Sequence, residues 1–180
     1  MRIRKRQTSL PVNQTTKPKW TIREATIADA ASVAESYNHY VMVGGSTFDR
    51  DPWSPSDAAA YIESEPPEAW FVADTSSAIV GWASIRQYSV RDGYRLSYET
   101  AIYLSPASLG TGVADALQHC VDNYFCQRGL HHAVAKIIAD NQRSIAFHIR
   151  HGYELVGVQK EIGRMDERWI DVAILQKIYR

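Results

Sequence analysis

Ser97-Tyr98-Glu99-Thr100-Ala101-Ile102-Tyr103-Leu104-Ser105-Pro106-Ala107-Ser108-Leu109-Gly110-Thr111-Gly112-Val113-Ala114-Asp115-Ala116-Leu117 changes its period halfway along. The first part belongs to a strand predicted over Arg95 to Leu104, whose alternation sets Leu96, Tyr98, Thr100, Ile102 and Leu104 on one face and Ser97, Glu99, Ala101 and Tyr103 on the other. From Gly112 the apolar positions Val113, Ala116, Leu117, Cys120, Val121 and Tyr124 follow the spacing of an amphipathic helix. Between them, small residues leave main-chain N–H groups bare at the positive end of that helix, a ready cradle for an anion. The turn does not fit a dinucleotide fingerprint, because Gly110-Thr111-Gly112-Val113-Ala114-Asp115 ends in an acid where Gly or Ala is required, and it has no P-loop lysine. A plain tight turn into a helix would use the same glycines.

Working outward, Trp20 to Glu24 reads as a short strand, and Thr26 with Asp29 as a capping box for a helix carrying Ile27, Ala30, Ala31, Ala34 and Tyr37 on one face. Ser54-Pro55-Ser56-Asp57 supplies an N-cap, a first-turn proline and an N3 acid for a second helix, ended by Pro66-Pro67. Ala69 to Ala73 and Ala78 to Tyr88 form an antiparallel hairpin through Thr75-Ser76-Ser77. Downstream lie a strand at His132 to Ala139, a helix at Asn141 to Arg150 closed by Gly152, and strands at Tyr153 to Lys160 and Arg168 to Lys177. The order β-α-α-β-β-β-α-β-α-β-β predicts an α/β fold with a mixed, mostly antiparallel sheet and helices on both faces. Trp53, Trp70, Trp82 and Trp169 fall on these elements and read as core.

The chain has 180 residues, 45% of them hydrophobic, with 20 Lys+Arg against 20 Asp+Glu, which suits one soluble globular domain. Six of the basic residues precede Trp20 and no acid does, leaving 14 basic against 20 acidic side chains in the remainder. Residues 1–19 therefore read as a disordered basic tail and 20–180 as the folded domain, whose acidic balance argues against nucleic acid as a ligand. The sequence has no apolar run of membrane-spanning length and no secretory leader pattern. Two widely spaced cysteines, Cys120 and Cys126, suit free thiols in a reducing, cytoplasmic setting. His131 and His132 are adjacent and face opposite ways on a strand, while His148 and His151 lack an evident third ligand, so no metal is expected.

Thr21-Ile22-Arg23, Tyr37-Asn38-His39-Tyr40-Val41, Thr47-Phe48, Tyr98 to Pro106, Gly110 to Ala114, Asp140-Asn141, Ser144 to His148, His151-Gly152-Tyr153 and Arg168 to Val172, in one collinear order over about residues 20 to 176, resemble the phosphinothricin and methionine-sulfoximine N-acetyltransferases of the GNAT superfamily. The resemblance implies a single GNAT-type domain that moves acetyl from acetyl-CoA, as co-substrate, to the primary amine of a small amino-acid-like molecule. It also implies Glu99 as general base and His148 beside the departing thiolate. Ile102, Tyr103, Leu104, Gly110, Thr111, Gly112, Val113, Ala114, Asn141 and Arg143 are the implied cofactor-binding residues, with Asn38, Phe48 and Arg91 for the acceptor and a homodimer by family analogy.

Elementary chemistry agrees with those roles. An ammonium must lose a proton before attacking a thioester, and a carboxylate at a cleft can take it directly or through water. The tetrahedral oxyanion needs donors, which unpaired N–H groups of Ile102 to Leu104 would supply where strands diverge. A carboxylate on a solvated strand face is the competing reading of Glu99, and a helix histidine bonded to nearby backbone that of His148.

Departures from the family stand beside the matches. Leu109, Thr111 and Asp115 replace basic residues at the cofactor turn, and Ser89-Val90-Arg91 keeps one arm of an Arg-x-Arg clamp. Met165-Asp166-Glu167 replaces a Lys-Phe-Gly loop. Two alternatives follow: an acetyltransferase for another amine such as a peptide N-terminus, and a catalytically weak CoA-binding or interaction domain.

Overall fold

The central hairpin sets the frame. Phe71, Val72, Trp82 and Ile85 are all buried, as expected of strands rich in β-branched and aromatic residues covered on both faces. The computed structural model describes residues 20–180, so the basic tail expected over 1–19 lies outside the described residues. In chain order the elements are β1 (Thr21–Glu24), α1 (Ala30–Val43), α2 (Pro55–Ile62), β2 (Ala69–Asp74), β3 (Ile79–Gln87), β4 (Ser97–Leu104), α3 (Val113–Arg128), β5 (His132–Ile138), α4 (Gln142–Arg150), β6 (Glu154–Met165) and β7 (Arg168–Ile178). The strands form one seven-stranded sheet in the order β1-β2-β3-β4-β5-β7-β6, antiparallel except between β4 and β5. This is the expected element order.

Two cores flank the sheet. On one face α3 lays Val113, Leu117, Val121 and Phe125 against Phe71, Ile85, Tyr98 and Ala133. Burial of each large apolar side chain there contributes roughly 1.5–3 kcal/mol. On the other face α1 packs Val33, Ala34 and Tyr37 with Ala58 of α2 against Trp70, Val72 and Trp82. The alternation expected for β4 holds, since Tyr98 and Leu104 enter the first core while Ala101 and Tyr103 pack against the second.

Local expectations fail where tertiary contacts decide. In α1 the inward face is Ala30, Val33, Ala34, Tyr37 and Val41, with Ile27 left 57% exposed and Ala31 also exposed. A 3-10 turn over Ile27–Asp29 rotates the helix relative to its apparent start. The cap itself is present: Asp29 Oδ2 accepts from the Thr26 amide at 2.8 Å, and the same carboxylate accepts both Arg23 Nη groups at 2.8 Å. Trp70 and Trp82 are core and Trp53 stacks among them, but Trp169 on β7 is 58% exposed, held instead under the Arg164 guanidinium. Strand β6 runs five residues past Lys160. A register shift between Gln159 and Gly163 re-pairs it with β7, and Asp171 anchors the irregular stretch by accepting from Lys160 Nζ at 2.6 Å and the Glu161 amide at 2.8 Å.

Candidate active site

The parallel pairing of β4 with β5 covers Ser97↔His132, Tyr98↔Ala133 and Glu99↔Val134 and then stops. Beyond Glu99 the strands diverge, and the β5-facing edge of Thr100–Leu104 has no strand partner. A cavity of about 440 Å³ fills the gap, lined by Thr100 to Leu104 on one side, Ala135 to Ile138 on the other, and residues of the α3 and α4 starts. Tyr40 closes one end, its Oη donating to the Leu104 carbonyl at 2.8 Å.

Of the positions expected to meet the cofactor, Ile102, Tyr103, Leu104, Gly110, Gly112, Ala114, Asn141 and Arg143 line this cavity. Gly110 and Gly112 have φ of 75° and 89°, backbone that side chains resist, which explains glycine at both. Ala116 N donates to the Gly112 carbonyl, and helix geometry leaves the amides ahead of it without intrahelical acceptors. Asn141 caps α4 through its Oδ1, which accepts from the Ser144 amide at 3.1 Å. Two expected residues do not present side chains here. Val113 is 1% exposed because its side chain belongs to the α3 core stripe, and Thr111 donates its hydroxyl to the Ser108 carbonyl at 2.7 Å. Asp115 is not a bare negative charge: Arg150 and His151 Nε2 each sit 2.8 Å from its Oδ1, and the Arg150 hydrogen bond holds its carboxyl below the usual range.

A second cavity of about 360 Å³ is lined by Ser46, Phe48, Tyr88, Lys136, Ile138, Gln159, Ile162 and Val172. It lies on the α1 side of the sheet and shares Ser46, Lys136 and Ile138 with the first. Glu99 lines neither cavity, and its carboxylate meets this region only through Lys136, whose Nζ is 2.6 Å from Glu99 Oε2. Phe48, expected to meet the acceptor, lines this cavity. Asn38 is not available as one: its amide donates to the Trp53 carbonyl at 2.8 Å and accepts from the Trp53 amide at 2.7 Å, tying α1 to the loop ahead of α2. Arg91 lines neither cavity. It is exposed in the β3–β4 connection, which folds into a separate 3-10 turn at Asp92–Tyr94.

His148 lines the larger cavity and is 6% exposed. Its Nδ1 lies 2.8 Å from the Ser144 carbonyl, so that nitrogen carries the proton and donates it, and burial pushes the ring's pKa down. Its N–H is committed to the helix backbone. That contact is the one expected of a helix histidine bonded to nearby backbone, while the ring still lines the cavity.

Lys136 is the residue that sequence reasoning missed. The alternation that singled out Glu99 also places Lys136 on one face of β5 with Val134 and Ile138, a charge in the middle of an apolar strand. Ser46, Tyr40 and Phe147 join the cavity from outside the quoted motifs' expected roles, and only the fold brings them there. His151 has company too: donor atoms of His119, Asp122 and His151 lie within 4.8 Å of one another. However, Asp122 Oδ1 already accepts from Gln118, Lys177 Nζ and Tyr179 Oη, so its charge is compensated without an ion.

Residues 22–174 match the family described as the acetyltransferase (GNAT) domain. A phosphinothricin N-acetyltransferase of Streptomyces coelicolor is 31% identical over 157 residues, covering 84% of this chain and 92% of its own. An L-amino acid N-acyltransferase of Escherichia coli is 27% identical, covering 87% of this chain and 92% of its own. The crystal structure of a GNAT superfamily phosphinothricin acetyltransferase from Sinorhizobium meliloti in complex with acetyl-CoA superposes with a TM-score of 0.83 at 31% identity, covering 89% of this chain and 88% of that one. A split central sheet, a glycine turn opening α3, and sequence agreement over almost the whole folded region therefore lead to one conclusion: the chain belongs to the GNAT acetyltransferases and is an acetyl-CoA-dependent N-acetyltransferase.

Proposed function

We propose that this protein acetylates the primary amine of a small amino-acid-like acceptor by direct attack on acetyl-CoA. The carrying observation is that two cavities meet at the β4–β5 split and share Ser46, Lys136 and Ile138 there. Acetyl-CoA occupies the larger one. Its pyrophosphate lies over the amides of Gly110, Gly112, Val113 and Ala114, with Arg143 at the start of α4 as the nearby cation. The thioester reaches the split, and the acceptor arrives from the smaller cavity, past Phe48.

Glu99 takes a proton from the acceptor ammonium, directly or through water. The amine nitrogen then forms a bond to the thioester carbon, and the main-chain N–H groups of Ile102 and Leu104, on the edge of β4 turned away from β3, hold the tetrahedral oxyanion. Collapse breaks the C–S bond, and the second proton, shed by the acylated nitrogen, passes to the thiolate to leave the amide and free CoA. The CoA thiolate departs on the side where His148 offers a polar ring. No cysteine needs to carry the acetyl group, since Cys120 packs against the α3 core and its thiol pKa is raised by burial.

A catalytically weak CoA-binding or interaction role was motivated by Leu109, Thr111 and Asp115 at the turn, and the pairing of Asp115 with Arg150 and His151 weakens one of those three motives. A cytoplasmic location accords with the two free cysteines, and pairing of two chains with the exposed apolar residues of β6, Leu155, Val156 and Val158. An acetyl-CoA-dependent thiol-release assay over a panel of amino acids, simple amines and peptides tests the reading. Turnover concentrated on amino acids supports it, and turnover on peptides alone replaces it with the peptide alternative.

A further inference from the structure

Resting on that acceptor reading, we propose that Lys136 binds the carboxylate of an α-amino-acid acceptor and thereby sets acceptor specificity. Its Nζ lies 2.6 Å from Glu99 Oε2, and its side chain stands 45% exposed on the wall common to both cavities. Among the described residues that line the smaller cavity it is the only Lys or Arg. Neighbouring guanidiniums are engaged elsewhere: Arg86 lies 4.7 Å over the Tyr61 ring and Arg164 5.6 Å over Trp169.

The Glu99–Lys136 pair is electrically neutral, and so is an amino-acid zwitterion. When the zwitterion enters, its ammonium takes the place of Lys136 at Glu99 and its carboxylate takes the place of Glu99 at Lys136. One charge-assisted contact becomes two, and no charge is left alone. A monoamine breaks the same ion pair and strands Lys136 beside a second cation. An amide or ester of the same amino acid does so too, although its side chain and ammonium are unchanged. The Tyr88 ring, 5.6 Å from Nζ, offers its π face to the ammonium and holds it to this wall as it turns from one partner to the other.

The test compares kcat/KM for free amino acids with apolar side chains against their amides and against the matching monoamines, in wild type, Lys136→Met and Lys136→Arg. An amide's amine is the weaker base and carries more free amine at neutral pH, so intrinsic chemistry favours the amide. Wild type should nevertheless prefer the acid by about 10- to 100-fold, the range of a charge-assisted contact. That preference should fall to about one or invert in Lys136→Met and return in Lys136→Arg. Because acid and amide are compared within each variant, a general loss of activity cancels. Should Lys136→Met fail to fold, the wild-type ratio still decides. Equal turnover of acid and amide by wild type, or a preference that survives in Lys136→Met, overturns the assignment alone. Turnover of monoamines or peptides with no free amino acid accepted overturns both it and the acceptor reading.

Discussion

The Phe48 ring occupies the space that a side chain on Gly163 would need. A Cβ built there meets Phe48 Cζ at 2.7 Å, and Cε1 closer still. Gly163 belongs to β6 just past the register shift, whereas Phe48 lies in the loop after α1, so the contact fixes one wall of the smaller cavity from two distant parts of the chain.

Gly163→Ala should therefore displace the Phe48 ring without disturbing the core. Acceptor KM is expected to change several-fold while acetyl-CoA affinity stays constant, read by steady-state kinetics and a cofactor titration. An unaltered acceptor KM would remove Phe48 from acceptor binding.

Glu99→Gln keeps the shape of the side chain and removes its proton affinity. Turnover should fall by about 10² to 10⁴, and the deficit should narrow from pH 6 to pH 10 as solution supplies free amine. A deficit that stays constant with pH would make Glu99 an anchor for the acceptor rather than its base.

At the cofactor turn, Leu109 lines the larger cavity and packs partly against the α3 core. Leu109→Arg should tighten acetyl-CoA several-fold at low salt, with the gain fading as salt rises, and should lower the melting temperature of the free protein slightly. Calorimetric titration at two ionic strengths is the measurement; an unchanged or weaker affinity places the phosphates away from this turn.

Asp29, 6% exposed, is held at about 2 chiefly by its hydrogen bond to the Arg23 guanidinium, against a normal value of 3.8. A depressed carboxyl stabilises the fold at pH values above its unfolded pKa and loses that contribution as pH falls through the folded value. Asp29→Asn should thus cost on the order of 2 kcal/mol at pH 7, and the gap to wild type should close between about pH 4 and pH 2 in thermal melts. A gap that persists at pH 2 would assign the loss to the Thr26 cap instead.

Much of this architecture was legible because local signals agreed with their surroundings. Ser54-Pro55-Ser56-Asp57 caps α2 as read, and the alternation of β4 distributes Tyr98 and Tyr103 to opposite cores. Glu99 and Lys136 are both charges in mid-strand, but the family resemblance gave a role to the carboxylate alone. Asn38 and Arg91 misled for a different reason. The Trp53 backbone that holds Asn38 and the 3-10 turn at Asp92–Tyr94 that follows Arg91 are products of folding that no spacing in the sequence records. Trp169 looked like core because apolar rings generally are, and a cation at Arg164 settled it at the surface.

An unpaired strand edge is ordinarily a hazard, since it offers a row of amides and carbonyls to any passing chain. Here two such edges, Thr100–Leu104 and the opposing end of β5, face each other inside a single sheet. Another protein cannot slide between them, because each strand is already backed by a neighbour, β3 on one side and β7 on the other. Only something thin and extended can enter, so the sheet screens its visitors by thickness before any side chain reads their chemistry.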